Sequence, residues 1–401
     1  MHPQFDRRQL SIQPLSARQS KVAIEDIQIT TDATVRPLPT QYRAILTETV
    51  ARIRSARAAG KPVMLAFGAH TIKNGLAPVL IRLIETGWVT HLATNGAGII
   101  HDWEFAFHGQ STEDVRRYIA EGQFGIWEET GFNINLALVI GAYEGKGYGE
   151  SIGALIENEG FTIPTVAELQ SQTTGAAADL REVITQFQLA PGFRKVPHPF
   201  KRFSVQAAAY RLGVPFTGHP MFGHDIIYCH PMNCGAAIGR TAERDFLAFA
   251  YNVNRLDGGV YLSVGSAVMS PMVFEKSLAM AQNLHRQHGQ RITNHFIVVV
   301  DLAASSWDWQ TDGEPPMDNP AYYLRYCKTF SRMGGQMRYV TADNRDFLLN
   351  LCHFQHPRQS ISCPAAAFSR KACSSHPPAR ASSWRRQGVH SPAPKIPSMP
   401  S

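Results

Sequence analysis

Between Val63 and Gly98 the apolar positions change period twice. Val63 to Phe67 is an unbroken apolar run, short enough for a buried strand. Leu76, Val79, Leu80, Leu83 and Ile84 then recur at three and four, the spacing of a helix with one buried face. Val89 to Ala93 returns to a strand-like run, closed by Asn95-Gly96-Ala97-Gly98. Strand, crossover helix and strand form a βαβ unit, which implies a parallel sheet.

The same reading extends in both directions. A helix is expected over Gln41 to Ala59, and residues 1–40 are read as an extended arm. Thr112 to Glu129 looks helical, Asn135 to Ala142 is ambiguous, and Gly141 to Gly153 reads as an irregular loop. Pro164 to Arg194 should hold a helix and a polar connector. Helices are expected over Ser204 to Leu212, Phe246 to Asn254 and Phe274 to Gln287. Strands are expected at Val260 to Val264 and Phe296 to Leu302, with Tyr339-Val340 entering one more. The pattern predicts an α/β fold with a mostly parallel sheet and a core domain over residues 41–353. From residue 354 onward the chain is rich in Ser, Pro, Ala and Arg without apolar periodicity. Such a composition predicts disorder; a targeting or nucleic-acid tail, or a shift of reading frame, is also open.

Charge sharpens this division. The net charge of +7 invites a nucleic-acid partner, but Arg358, Arg370, Lys371, Arg380, Arg385, Arg386 and Lys395 all lie in the tail, which has no acid. The remaining 32 basic residues balance the 32 acidic ones. A neutral body argues against nucleic acid as its ligand. No run of eighteen apolar residues is present, and MHPQFDRRQLSIQPL lacks the apolar core of a secretory signal. Both favour a cytoplasmic protein and no membrane partner. The six cysteines show no CxxC spacing and are read as reduced thiols.

Strand ends carry the candidate chemistry. His70-Thr71, Asn95 to Gly98, Gly265-Ser266 and Ala303 to Ser306 put small or polar residues where ligands bind α/β sheets. They suit the close backbone approach of a dinucleotide, or are ordinary turns, since GxGxxG and GxxxxGK[ST] are both missing. Lys328 lies among aromatic and apolar residues (AYYLRYCKTF). It is either a nucleophile freed by desolvation or a helix-surface lysine. Trp307, Asp308, Asp312 and Glu314 combine indole faces and carboxylates that suit a cationic amine, or form a solvated loop. His219, His224, Asp225, Cys229, His230 and Cys234 are dense in potential ligands. Their spacing fits no zinc motif, and a strand at Ile226-Ile227 would send them to opposite faces, so no metal is expected. A serine-hydrolase reading has little support: the one GxSxG match, Gly149 to Gly153, lies in the Gly-rich stretch read as a loop and follows no expected strand.

Taken in order, GAHTIKNGLAPVLIRLIETGWVTHLATNGAG (68–98), HDIIYCH (224–230), YLSVGSAV (261–268), VVVDLAASSWDWQTDG (298–313), YCKTF (326–330) and TADNRDF (341–347) resemble deoxyhypusine synthase. The resemblance spans roughly Pro62 to Leu351 and is weakest in the middle. It implies a Rossmann-like fold with helices on both faces, bound NAD and a homotetramer. It also implies transfer of the aminobutyl group of spermidine, through an imine on a lysine, to a protein lysine or a small amine. By resemblance Lys328 is the catalytic lysine. Asp225 holds the polyamine, beside Trp307, Asp308, Asp312, Glu314 and Tyr326. His70, Thr71, Asn95, Gly96, Ala97, Gly98, Gly265, Ser266, Ala303 and Asp343 contact NAD. Several family positions have changed. An acidic pair is replaced by Ile100 and His101, a histidine by Ser270, a glutamate by Tyr322, a tryptophan by Tyr326, and a second carboxylate beside Asp225 has no counterpart. The polyamine pocket is therefore rebuilt, and the amine donor or acceptor is expected to differ. Two other readings stay open: a nucleotide-binding regulator without chemistry, and an NAD-dependent amine dehydrogenase.

Overall fold

The computed structural model describes residues 2–354; the tail expected from residue 354 lies almost wholly outside them. Six strands form one parallel sheet: β1 (Val63–Phe67), β2 (His91–Asn95), β3 (Phe216–His219), β4 (Val260–Val264), β5 (Phe296–Asp301) and β6 (Gln336–Thr341). Their order is β3-β2-β1-β4-β5-β6, and every neighbouring pair is parallel. This is the doubly wound order of dinucleotide-binding folds. Its direction reverses between β1 and β4, and sheets of this order bind ligands outside the carboxyl ends of the strands at such a point.

The unbroken apolar runs follow from cover on both faces. Strand pleating sends Val63, Leu65 and Phe67 into one core, with Leu92, Leu262, Val298 and Val340. Met64 and Ala66 enter the other, with Tyr261, Ile297 and Met337. Helices α1 (Thr40–Ala58), α2 (Ala77–Glu85) and α3 (Gly96–His108) supply residues to the first core. Its other helices include α4 (Glu128–Glu144), α5 (Tyr148–Asn158) and α6 (Val205–Leu212), and it ends with α10 (Asn344–His353). The second core is capped by α7 (Gly235–Asn254), α8 (Met269–Gln287) and α9 (Arg325–Ser331) through Phe249, Phe274, Cys327 and Phe330.

Several elements differ from the expectation. The polar turn at His70-Thr71 is a short helix, Ala69–Lys73. β2 begins two residues late because the Val89 N–H bonds back to Leu83 at the end of α2. The glycines after β2 do not close a turn; they open α3, capped by Asn95. Glycine is required there for packing, since a Cβ on Gly98 would stand 2.3 Å from Thr94 Oγ1. Over Thr112 to Glu129 the helix is confined to Val115–Ala120, and Glu128 begins α4.

The expected loop from Gly141 to Gly153 is mostly helical. α4 is buried on nearly every side, which erased its periodicity, and only Gly145 to Gly147 turn between it and α5. Gly141 lets α4 approach Ser151, and Gly149 lets α5 approach the Phe216 carbonyl. Pro164 to Arg194 holds helices Val166–Gln170 and Gly175–Gln186. The strand Gly192–Lys195 also falls largely here and pairs antiparallel with Gly160–Ile163.

Residues 2–39 run along the body. Leu15, Ile24, Ile29 and Leu38 are buried, and Val22–Ala23 pairs with Gln110–Ser111. Arg18 anchors this segment. Its guanidinium meets Glu104 of α3 twice, at 2.6 and 3.0 Å, out of reach of solvent. Cys229, Cys234, Cys327 and Cys352 are free thiols. Among the described residues no helix is long and apolar enough to cross a membrane.

Candidate functional site

The reversal point is held shut at the backbone. The Gly68 N–H donates to the Val264 carbonyl at 3.1 Å. A Cβ on Gly68 would fall 2.0 Å from the Gly265 carbonyl oxygen, and Gly265 itself has φ +59. Thr71 and Asn344 lock behind them: Asn344 Nδ2 donates to Thr71 Oγ1 at 3.1 Å, in the interior. Asn344 was not foreseen; it had no sequence signal beyond following Asp343. Gly68→Ala should lower the unfolding free energy by about 3 kcal/mol, because only backbone could give way. Gly239→Ala, in open space within α7, should raise it by about 0.5–1 kcal/mol. Urea denaturation of both variants measures the contrast.

Around this closure the strand ends are lined by small residues. Ala69, Ala97, Gly265, Ser266 and Ala303 are half-buried, and Ala267 and Ala304 exposed. That lining fits the extended, backbone-hugging contact of a dinucleotide. His70 is exposed. Asn95 Oδ1 accepts from the Gly98 N–H, Ser266 Oγ from the Ser270 N–H, and Asp343 from the Arg345 N–H. The Ala303 carbonyl accepts from the Tyr339 hydroxyl at 2.5 Å, and the Tyr326 hydroxyl lies 3.3 Å from that of Tyr339.

Lys328 is set apart from a surface lysine. Its side chain is 15% exposed, Nζ lies 3.7 Å from Glu314 Oε1, and it rests 3.5 Å above the centre of the Tyr322 ring. Glu314 also accepts from Arg332 Nε at 2.9 Å. Arg332, and Lys328 after it, hold the Glu314 carboxyl below the usual range. Tyr322, which replaces the family glutamate by resemblance, thus offers a ring face, while the carboxylate comes from the preceding loop. Other acids of that loop serve it locally. Asp308 accepts from the Gln310 and Thr311 N–H groups, Trp307 Nε1 donates to the Gly313 carbonyl, and Asp312 is exposed.

Asp225 lies at the other half of the sheet end. Its carboxyl presses on Gly96, where a Cβ would stand 2.1 Å from Oδ2. Burial pushes its pKa up to about 6, against the pull of His224. Among the described residues no hydrogen bond or ion pair joins the Asp225 group to the Lys328 group. A carboxyl protonated more readily when folded favours the folded state at low pH. That advantage is complete below the unfolded value near 3.8 and is lost as pH rises through 6. Asp225→Asn should therefore stabilise the protein by about 2 kcal/mol at pH 8 and not at pH 3.5. Chemical denaturation at the two pH values checks this.

The His/Cys cluster beside Asp225 is dispersed. Ile226–Cys229 is a single 3-10 turn rather than a strand, because Tyr228 and His230 bond back to Asp225 and Ile227. His219 Nε2 lies 3.0 Å from Thr217 Oγ1, and His230 Nε2 3.1 Å from Glu128. Among the described residues no three His, Cys, Asp or Glu are grouped to hold a metal.

No protein-family model and no curated protein matches the chain. Solved structures align with it at low identity. AgrE, which has also been solved with ornithine and NAD+, aligns over 80% of this chain and 34% of its own at 15% identity and TM-score 0.40. This chain thus spans about a third of AgrE. A conserved, provisionally assigned LOR/SDH protein from Methanococcus maripaludis S2 aligns over 81% and 71% at 12% identity and TM-score 0.42. A provisionally assigned deoxyhypusine synthase from Entamoeba histolytica aligns over 78% and 88% at 10% identity and TM-score 0.38. Each is at most a distant likeness of fold.

Proposed function

We propose that residues 41–353 form an NAD-dependent, amine-acting transferase domain, which moves an aminobutyl group from spermidine or a related polyamine to an acceptor amine. The observation that carries the reading is Lys328: shielded, lying on Tyr322 and facing Glu314, in a chain whose sheet has dinucleotide-binding strand order. Thr71, Asn95, Ala97, Ser266, Ala303 and Asp343 are the residues that would hold NAD. When bound, it would accept hydride from the amine carbon and return it to the final imine.

The side chains then have defined tasks. Lys328 reacts as the neutral amine, the only nucleophilic form, and the proton it sheds passes to the departing diamine; Glu314, held ionised by Arg332, orients the lysine. Lys328 Nζ adds to the substrate iminium carbon, the C–N bond to the departing diamine breaks, and that diamine leaves with the proton. The butylamine unit is now an imine on Lys328. The acceptor amine adds to the same carbon and releases Lys328. The Tyr322 ring and the small exposed fraction of Lys328 keep water from the imine in the interval. A homotetramer in the cytoplasm, taking a protein lysine or a small amine as acceptor, completes the proposal.

NADH fluorescence titration should give saturable binding. Incubation with NAD and labelled spermidine, then borohydride, should leave a butylamine adduct on Lys328, mapped by mass spectrometry. NADH binding without an adduct from any polyamine tested would reject the transfer. Net NADH release would indicate an amine dehydrogenase instead.

A further inference from the structure

Near their shared turn α4 and α5 meet closely, Gly141 against Ser151, where a Cβ would stand 1.9 Å from Oγ. Alongside that contact, the two helices and the paired strands Gly160–Ile163 and Gly192–Lys195 border a cleft of about 180 Å³. Ile140, Leu155, Phe161 and Phe193 give it apolar walls, and the small side chain of Ala154 leaves it room. Phe193 is 60% exposed, and its ring lies across the bare backbone of Gly160, where a Cβ would meet Cζ at 2.6 Å. A large ring left in water on the wall of a cleft is apolar surface that a ligand can cover. Among the described residues, the charged lining is Glu144 and Lys146 alone, ion-paired with each other and partly open to solvent. No lining residue belongs to the strand ends or to the Lys328 group.

We propose that this cleft binds a free α-amino acid with an apolar side chain, which sits between the walls while its ammonium faces Glu144 and its carboxylate Lys146. A cavity of about 150 Å³ holds one benzene ring, so the space suits one phenyl or branched aliphatic group. It is too small for a dinucleotide. One acid and one base leave the lining net neutral, which disfavours a polyamine or a phosphate. The same two charges complement a zwitterion, whose ammonium and carboxylate stand on one carbon. An ion pair this exposed contributes little to stability, so a ligand parts it at small cost and gives each member a new partner. An uncharged ring would use the walls and leave the pair idle. The cleft had no sequence signal, because much of the stretch that forms it, Gly141 to Gly153, reads as an irregular loop. The inference goes beyond the transferase reading, since neither NAD nor Lys328 takes part.

Ligand-observed NMR titration of the full chain tests it, with L-phenylalanine and L-leucine against phenethylamine and 3-phenylpropionate, each of which lacks one charge. Saturable binding is expected for both amino acids, with L-phenylalanine about tenfold or more tighter than either analogue, the usual effect of losing a hydrogen bond to a charged group. Ala154→Leu fills the cleft and should weaken L-phenylalanine binding by about tenfold or more. Lys146→Gln should erase the advantage over phenethylamine, and Glu144→Gln the advantage over 3-phenylpropionate. Both side chains reach solvent, so neither charge variant should lower the ligand-free melting temperature. No saturable binding of either amino acid, analogues that bind as tightly as L-phenylalanine, or charge variants that keep both preferences would overturn the site. Undiminished binding by a folded Ala154→Leu variant would overturn it as well. Any of these results leaves the borohydride trap on Lys328 untouched, so the two readings fail separately.

Discussion

Lys328→Arg should abolish the borohydride-trapped adduct and lower turnover on the order of 10³-fold or more, while NADH affinity stays within about twofold. Arginine keeps the positive charge and can still face Glu314 and lie on Tyr322, so the local packing survives. It cannot become a neutral nucleophile near neutral pH. The variant thus separates chemistry from folding, and its melting temperature should match the parent. Glu314→Gln supplies the complementary test. It removes the carboxylate that faces Lys328 while leaving the lysine in place, so adduct formation should slow while NADH affinity is kept. Retained turnover in Lys328→Arg would place the chemistry elsewhere.

Arg18→Ala should cost about 3–5 kcal/mol of unfolding free energy, the usual penalty for stranding one member of a buried pair. Arg18 and Glu104 are both almost fully buried, and Glu104 also accepts from Ser111 Oγ at 2.6 Å and Thr130 Oγ1 at 3.1 Å. Burial alone would raise the Glu104 pKa, but the Arg18 charge and hydrogen bonds outweigh it and hold the carboxyl below its usual range. A lowered folded value means the pair stabilises at neutral pH and fades as pH falls. The cost of Arg18→Ala should therefore shrink between pH 7.5 and pH 4, where Glu104 in the variant can take up a proton. The double variant Arg18→Met with Glu104→Gln should recover most of the loss. Urea titrations at both pH values measure each quantity; an equal loss at the two would show that packing, not charge, is what Arg18 contributes.

Much of the frame was readable because fully covered parallel strands leave an unmistakable apolar signature. β1 and β4 fall where the apolar runs predict them, and β5 ends one residue early. α4 was ambiguous for the opposite reason: a helix buried all round has no polar face to mark its period. Gly68, Gly96, Gly98, Gly141 and Gly149 also serve close packing within the protein, a role that no sequence pattern marks. The candidate site was proposed from residue types at strand ends. What sequence could not show was pairing across long separations, such as Glu314 with Lys328, Asn344 with Thr71 or Arg18 with Glu104. No periodicity encodes those partners.

The division of the sheet about the Gly68–Gly265 closure has a consequence for how this chain can change. Lys328 and Glu314 ride on the β4–β6 half, whereas Asp225 belongs to the β1–β3 half. Under the proposed reading, reactivity and recognition are then inherited on separate blocks of the chain. Mutations drifting through residues 96–230 could retarget the enzyme to a different amine without disarming it. Grafting that segment between relatives should transfer substrate preference as a unit, provided the two glycines at the seam are kept.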